Sequence, residues 1–409
     1  MSRRLATAAL GLAAALLLPR SGAAQSPELT LEDALALARQ RAPALVDAAG
    51  RVEEAAGPVA GAASLLRDNP TVELEAGPRR LSDGSRGLDL SVGLVQPLEL
   101  GGKQGARRAS ARAGLAHETS QRKDTERRVL GEVASIFLRA LHARARLALA
   151  REAEASALST SQSTQRRFEA GDVPVVDVNV ARVALARARA AVAGAEADAA
   201  SLLHLLRALL GLGLARPLDV RGELRTLAVP PVTPPADGTV RPDLQALEAE
   251  LAQARAELRL GRSAAWPDVE VGVRYQREVD ESAILGTLGV PLPLFSRGEE
   301  ARVTGEARVR RLQAALDAAR ATLEVYVEAA RVQHHKRVEA LELLEREALP
   351  LLADNESLAR RSYDAGEMGL AEFLLVRRDT LEARSDYLDS LLEAALARVQ
   401  LAVETGALP

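Results

Sequence analysis

Apolar residues along this chain follow two rhythms, and the rhythm switches at corresponding places in each half. Over residues 102–168 and 298–362 they recur at intervals of three and four, as in Val129, Val133, Ile136, Phe137, Ala140 and Leu141, the period of one face of an α-helix. Both spans lack proline except for Pro350. At about 1.5 Å per residue such rods would reach roughly 100 Å, too long for a compact globule. Shorter helical patterns cover 30–66, 176–212, 241–264 and 370–405. Each is about half a rod, so two set end to end match one, and a cylinder of helical columns is the expected packing.

Four segments between the helices keep period two instead. Val72, Leu74 and Ala76 alternate with Thr71, Glu73 and Glu75, and Leu88, Leu90, Val92 and Leu94 with Asp89, Ser91 and Gly93. In the second half Val269, Val271, Val273 and Tyr275 alternate with Asp268, Glu270, Gly272 and Arg274, and the beat returns from Ile284 to Leu294. These are strands with one apolar and one polar face. They predict hairpins over 71–100 and 268–295 with polar tips at 78–87 and 276–282. The alternation fits a half-buried sheet or the wall of an outer-membrane barrel. Four strands cannot close a barrel in one chain, since about eight are needed to enclose even their own side chains. Twelve from a trimer can. Lateral knobs-into-holes packing between columns of neighbouring chains would then stabilise the Ala- and Leu-rich helices. Trp266 and Phe295 stand where helix meets strand, so both are placed at one membrane interface as aromatic anchors.

The chain also repeats itself at a spacing near 195. FEAGDVPVVDV (Phe168 to Val178) matches YDAGEMGLAEF (Tyr363 to Phe373), VQPLEL (from Val95) matches VPLPLF (from Val290), DNPTVELEAG (from Asp68) matches AWPDVEVGVR (from Ala265), and APALVDA (from Ala42) matches RPDLQAL (from Arg241). Four pairs in one order indicate a duplication. The first repeat spans 25–212 and the second 241–409, each reading as helix, β-hairpin, long helix, Gly-centred turn and return helix. A Pro-rich connector over 213–240 joins them, and the stretch LAVPPVTPPADGTVRPD at 227–243 reads as an extended strap.

Composition agrees with helices and removes several chemistries. Hydrophobic residues make up 47% and charged residues 27%, but aromatics only 2%, so long helices are favoured over an aromatic-rich enzyme core. With no Cys, disulfides, thiolate metal sites, cysteine nucleophiles and lipid attachment through cysteine are excluded. The net charge of −3 gives no reason to expect a nucleic-acid partner. The first residues, MSRRLATAALGLAAALLLPRSGAAQS, read as a signal peptide over 1–24 with cleavage after Ala24. Its apolar run, Leu5 to Leu18, is short of the ~20 residues of a spanning helix. Removing Arg3, Arg4 and Arg20 from 53 basic residues leaves 50 against 56 acids, a mature charge of −6. The protein is thus exported to the periplasm, to the medium, or into an outer membrane through its alternating strands.

Candidate sites are few. His334 and His335 are adjacent, and neighbouring helical residues point about 100° apart and cannot chelate together; His117, His142 and His204 are isolated. No metal site is expected. LELGGKQG at 98–105 lacks the glycine spacing of a phosphate loop and has Gln104 in place of Ser or Thr, so it reads as a strand-to-helix bend. No catalytic triad signature is present, and neither an enzymatic activity nor a cofactor is expected. Gly171 and Gly366 each close a long helix, as a left-handed residue does.

The opening LTLEDALALARQRAPAL from Leu29, the passage QPLELGGK from Gln96, and the paired turns FEAGDVPVVDV and YDAGEMGLAEF together resemble the TolC family of outer-membrane efflux channels, over nearly the whole mature chain. QPLELGGK is similar to the branch serving cobalt-zinc-cadmium and copper-silver exporters. The resemblance implies a mainly α fold with a small β part: a homotrimer joining a twelve-stranded barrel in the outer membrane of a Gram-negative bacterium to a long periplasmic α-barrel tunnel. It implies a passive duct for heavy-metal cations, with a periplasmic adaptor and an inner-membrane pump of the resistance-nodulation-division type as partners beside outer-membrane lipid. Residues Gly171, Asp172, Gly366 and Glu367 would form the tip turns where the adaptor docks. Family members often carry two acids shortly after the second turn, ringing the closed tip. Glu372 takes the first place, Leu375 stands in the second, and Asp177 is the matching acid of the first repeat. A drug efflux or type I secretion duct is the alternative within the family. A periplasmic coiled-coil adaptor is the alternative outside it, but would show one hairpin between β-rich halves rather than a duplicated plan.

Overall fold

The computed structural model describes residues 28–214, 218–230, 232, 241–278, 281–295 and 297–407; the expected signal peptide lies outside them. In chain order the elements are β1 (Glu28–Leu29), α1 (Leu31–Arg41), α2 (Pro43–Ala63), β2 (Thr71–Arg80), β3 (Arg86–Leu98), α3 (Lys103–Glu169) and α4 (Val175–Leu209). Then follow β4 (Asp219–Val220), α5 (Leu224–Ala228), α6 (Pro242–Ser263), β5 (Val269–Glu278), β6 (Glu281–Gly289), α7 (Glu299–Leu343), a π-turn (Leu344–Ala348), α8 (Leu349–Asp364) and α9 (Leu370–Thr405).

The 67-residue α3 is lined by shorter helices in succession. Its first half runs antiparallel to α1 and α2, as Arg108 Nε donating to the Ala62 carbonyl (2.9 Å) and Arg39 Nε to Glu126 (3.0 Å) show. Its second half runs antiparallel to α4, with Arg151 on Glu196 at 2.7 Å and Arg189 on Glu154 at 3.4 Å. The second repeat is laid out likewise. Arg262–Glu306, Arg308–Glu257 and Arg320–Glu248 pair α6 with the start of α7, while α9 returns along α7 and α8.

The main core lies where these columns meet. Val133, Phe137 and Leu138 of α3 pack with Leu35 of α1, Leu206 at the end of α4, Leu341 of α7, and Leu391 and Ala394 of α9. Smaller clusters join α6 to α7 around Leu251 and Leu312 and hold the far end of the hairpins around Tyr363 and Phe373. The long axis thus runs from the sheet at one end, through the core, to the helical tip.

Four expectations need correcting. The helix anticipated over 30–66 is two helices: Thr30 caps α1 through a reciprocal pair of bonds with Asp33, and Pro43, at N1 of α2, pushes Ala42 to an extended ψ of 125°. The second rod is interrupted, since Pro350 would clash with the carbonyl four residues back in a regular helix, and the π-turn containing Arg346 takes up the misfit. The second hairpin's ladder stops at Gly289, and 290–295 run on unpaired. The connector is not simply a strap: β4 pairs in parallel with β1, and α5 buries Leu224 and Ala228 in the main core. Pro234 and Pro235 lie outside the described residues.

Candidate functional site: a two-faced sheet and a helical tip

The two hairpins join in one antiparallel sheet of order β2-β3-β5-β6. Period-two alternation and an unbroken register put most apolar positions on one side, with Val95, Ala283 and Leu285 on the other. Val72 opposes Leu94, Leu74 opposes Val92, Val92 opposes Tyr275, Leu94 opposes Val273, and Tyr275 opposes Ile284. That side is bare in one protomer: Leu74 is 72% exposed, Ile284 77% and Leu288 71%. A contiguous apolar patch of this kind marks contact with something other than water. The first and last strands, β2 and β6, each have one edge with no strand paired to it among the described residues.

The opposite face is ionic. Glu73, Glu75, Asp89, Glu270, Glu278 and Glu281 share it with Arg79 and Arg274, six carboxylates against two guanidiniums. Arg274 Nη2 donates to Glu73 Oε2 at 2.8 Å, and its Nη1 lies 3.7 Å from Glu75 Oε2. This bond crosses over β3 above Gly93, where an added Cβ would lie in ordinary van der Waals contact with both side chains. Arg79 likewise bridges Asp89 (2.7 Å) and Glu278 (2.6 Å).

At the helical end of the sheet, Gly102 and Gly298, with φ of 76° and 80°, begin α3 and α7. LELGGKQG is therefore a bend. Trp266 packs over Gly101, where an added Cβ would come within 2.7 Å of it, and keeps 64% of its surface exposed; Phe295 is 99% exposed. Both stand beside the sheet at its helical end.

The two tip turns have the same backbone. Gly171 (φ 85°) and Gly366 (φ 78°) occupy the left-handed position of a Schellman motif: Asp172 N donates to the Arg167 carbonyl (2.8 Å) and Gly171 N to Phe168 (2.9 Å), as Glu367 N does to Ser362 (2.9 Å) and Gly366 N to Tyr363 (3.1 Å). Asp177 and Glu372 are both the third residue of their helix, α4 and α9. There the helix N-terminus favours an acid. Asp172, Glu367 and Glu372 are exposed and Asp177 is half-buried. Within one protomer, Asp177 and Glu372 are not brought together with any described cation.

Sequence reasoning missed the small core that holds the tip. The Tyr363 and Phe373 rings stack at 4.7 Å and 11°, the Tyr363 hydroxyl meets that of buried Thr164 at 3.2 Å, and the Arg167 guanidinium lies 5.5 Å above the Tyr363 ring. Behind Phe373, Arg377 is 8% exposed; burial pushes its pKa down, against the opposing pull of Glu356. Two aromatics ten residues apart across one turn, in a chain so poor in them, were the available signal. His334 donates through Nε2 to the Ala228 carbonyl (3.1 Å), tying α7 to α5, and among the described residues no group of three or more His, Asp or Glu is arranged to hold a metal. No described helix is long and apolar enough to cross a membrane.

A bare apolar sheet face, an ionic opposite face and long helical hairpins define a class of channel rather than a globular domain. The chain belongs to the outer membrane efflux protein family, whose model matches it twice, over residues 34–212 and 239–407. It is an outer-membrane efflux channel. Among relatives, the cobalt-zinc-cadmium resistance protein CzcC of Cupriavidus metallidurans is 26% identical, with 93% of this chain and 94% of that one covered. The nickel and cobalt resistance protein CnrC of the same organism is 30% identical, with 73% and 72% covered. A solved structure of CusC, whose folding and transmembrane channel formation it concerns, superposes with a TM-score of 0.77 at 17% identity, covering 93% of this chain and 92% of that one.

Proposed function

We propose that three copies of this chain close a twelve-stranded barrel in the outer membrane and a continuous helical duct below it, through which heavy-metal cations leave the cell. The observation that carries this reading is the sheet: its apolar side is bare, its other side is charged, and β2 and β6 are free to pair with neighbours. Edges of that kind are abolished only by closure. The excess of carboxylates on the charged side, turned toward the lumen, favours cations, and the metal-resistance relatives CzcC and CnrC support the same cargo.

In this reading Trp266 and Phe295 lie at the periplasmic interface of the membrane. Gly171, Asp172, Gly366 and Glu367 present the tip to a periplasmic adaptor, which couples the duct to an inner-membrane pump of the resistance-nodulation-division type. Glu372, joined by Asp177, lines the inner mouth as an acidic ring.

Fractionation and cross-linking test the architecture: the protein is expected in the outer membrane as a heat-modifiable trimer, and a soluble periplasmic monomer would defeat it. Cargo is tested in a strain lacking the gene. Restored growth on cobalt, zinc or cadmium is expected on complementation, and no restoration at normal protein levels, with the pump present, rules those ions out.

A further inference from the structure

The apolar side of the sheet ends, at the hairpin tips, in arginines. Arg80 and Arg86 are directly opposed partners on β2 and β3, in line with Pro78 and Leu88 on the apolar side. Arg277 lies on the same side near the tip end of β5, opposite Leu90 and in line with Tyr275 and Val273. All three are exposed, and none reaches a carboxylate of a described residue. The apolar side carries no acid on any of its four strands.

Three contrasts make this row unusual. On the charged side, Arg79 and Arg274 each contact two carboxylates. At the helical end of the sheet the cations are also paired, Lys103 with Asp268 at 2.8 Å and Arg67 with Glu99 at 3.8 Å. And like charges directly opposite on neighbouring strands repel one another, so the Arg80–Arg86 pair is unfavourable unless an anion sits between the two guanidiniums.

The position of the row says what the anion belongs to. From Leu88 to Leu98 on β3 are ten residue steps, which at about 3.4 Å each and a tilt near 40° give a height of about 26 Å, against about 25 Å for the apolar band of a membrane barrel. Arg80 and Arg86 fall one residue pair beyond that band, at the level of the headgroups, and Arg277 can reach it by extending its side chain along the surface. The aromatics Trp266 and Phe295 stand at the other end, so the arginine row faces the outer leaflet.

Resting on the membrane orientation proposed above, we infer that Arg80, Arg86 and Arg277 bind the phosphate groups of an anionic, phosphorylated glycolipid of the outer leaflet. Guanidinium forks engage phosphate oxygens in bidentate fashion, and a dianionic phosphate between Arg80 and Arg86 converts their repulsion into a bridge. The lipid's acyl chains would lie on Leu88, Leu90 and Pro78.

The test uses the intact protein in phosphatidylcholine nanodiscs containing either diphosphoryl lipid A or its dephosphorylated form, with retained lipid measured by mass spectrometry. The wild-type protein is expected to retain the diphosphoryl form preferentially. Combined replacement by Arg80→Gln, Arg86→Gln and Arg277→Gln should cut that retention by roughly tenfold or more, and millimolar inorganic phosphate should not displace the lipid. Equal retention of both lipids, unchanged retention in the variant, or displacement by inorganic phosphate would each overturn the inference. Arg86→Gln alone guards against misfolding of the triple variant. It removes the repulsion, so in plain phosphatidylcholine it should melt no lower than wild type, whereas wild type alone should gain thermal stability from diphosphoryl lipid A; an equal gain by both also overturns the inference. Failure of the wild-type protein to insert as a trimer defeats the membrane reading itself, whereas insertion without lipid preference defeats this inference and leaves that reading standing.

Discussion

Gly171 and Gly366 are held by backbone conformation and not by crowding: a Cβ would meet nothing within 4 Å at either position, yet both have φ near 80°. Replacing either with Ala should therefore cost about 1–2 kcal/mol of local stability. The expected result is hydrogen exchange at Asp172 or Glu367 accelerated by about fivefold or more, with Asn tolerated better than Ala; equal exchange in all variants would show that the turn is not conformationally restricted. The tip core behaves differently, because there packing dominates. Phe373→Ala removes a buried ring stacked on Tyr363 and should destabilise the tip by about 3 kcal/mol. Tyr363→Phe loses one hydroxyl contact and should cost only about 1 kcal/mol, since Thr164 keeps its bond to the Thr160 carbonyl. Protease cleavage near the two turns ranks the variants, and a Tyr363→Phe effect as large as that of Phe373→Ala would contradict the packing argument.

Between the tip and the main core, the interrupted rod gives the second repeat an element the first lacks. Glu345, in the π-turn, accepts from Arg225 Nε at 2.7 Å and from the Tyr387 hydroxyl at 2.9 Å, so the widened turn is clamped to both α5 and α9. Burial, followed by the hydrogen bond to Glu345, pushes the Tyr387 phenol up to about 12. The bond from Arg225 holds the Glu345 carboxyl below its ordinary value. A raised phenol pKa contributes stability below its unfolded value near 10, lost as pH climbs toward 12. A depressed carboxyl contributes above its unfolded value, lost as pH falls through and below about 4.5. Exchange at 344–348, taken relative to the intrinsic base-catalysed rate of an open amide at each pH, is accordingly expected to be slowest between about pH 5 and pH 10 and to rise on both sides. Tyr387→Phe should abolish the alkaline limb and spare the acid limb; an unaltered profile would assign the alkaline rise to another group.

At the scale of the whole molecule, three-fold symmetry would gather three copies of Glu372 near one axis. Acids at a narrow, low-dielectric mouth concentrate cations and repel anions. In planar bilayers, Glu372→Ala should lower cation preference and Glu372→Lys should reverse it. Unchanged currents for both would leave Glu372 only its stabilising role at the N-terminus of α9. Because His334 is bonded to the Ala228 carbonyl, its role is structural, and His334→Gln with His335→Gln should leave metal resistance intact once protein levels are matched.

The periodic features are legible along the chain: the long helices, the two-faced strands and the two glycine turns. Each is a local consequence of side-chain spacing or of one residue's backbone preference. Even the separation of apolar from charged residues on the sheet follows from alternation, because every second side chain must share a face. Tertiary structure decided what depends on residues far apart in the chain. The ion pair of Arg274 with Glu73 joins positions separated by 201 residues and exists because the register of β2, β3 and β5 brings the two to one level of the sheet. The opposition of Arg80 and Arg86, the π-turn's clamp to Arg225 and Tyr387, and the stacking of Tyr363 on Phe373 above Thr164 likewise depend on register and packing, which no local spacing encodes. Pro43 and Pro350 mark the middle ground. Each proline could be read off the chain, but whether it ends a helix, as at Pro43, or is absorbed by a widened turn, as at Pro350, was settled by the surrounding packing.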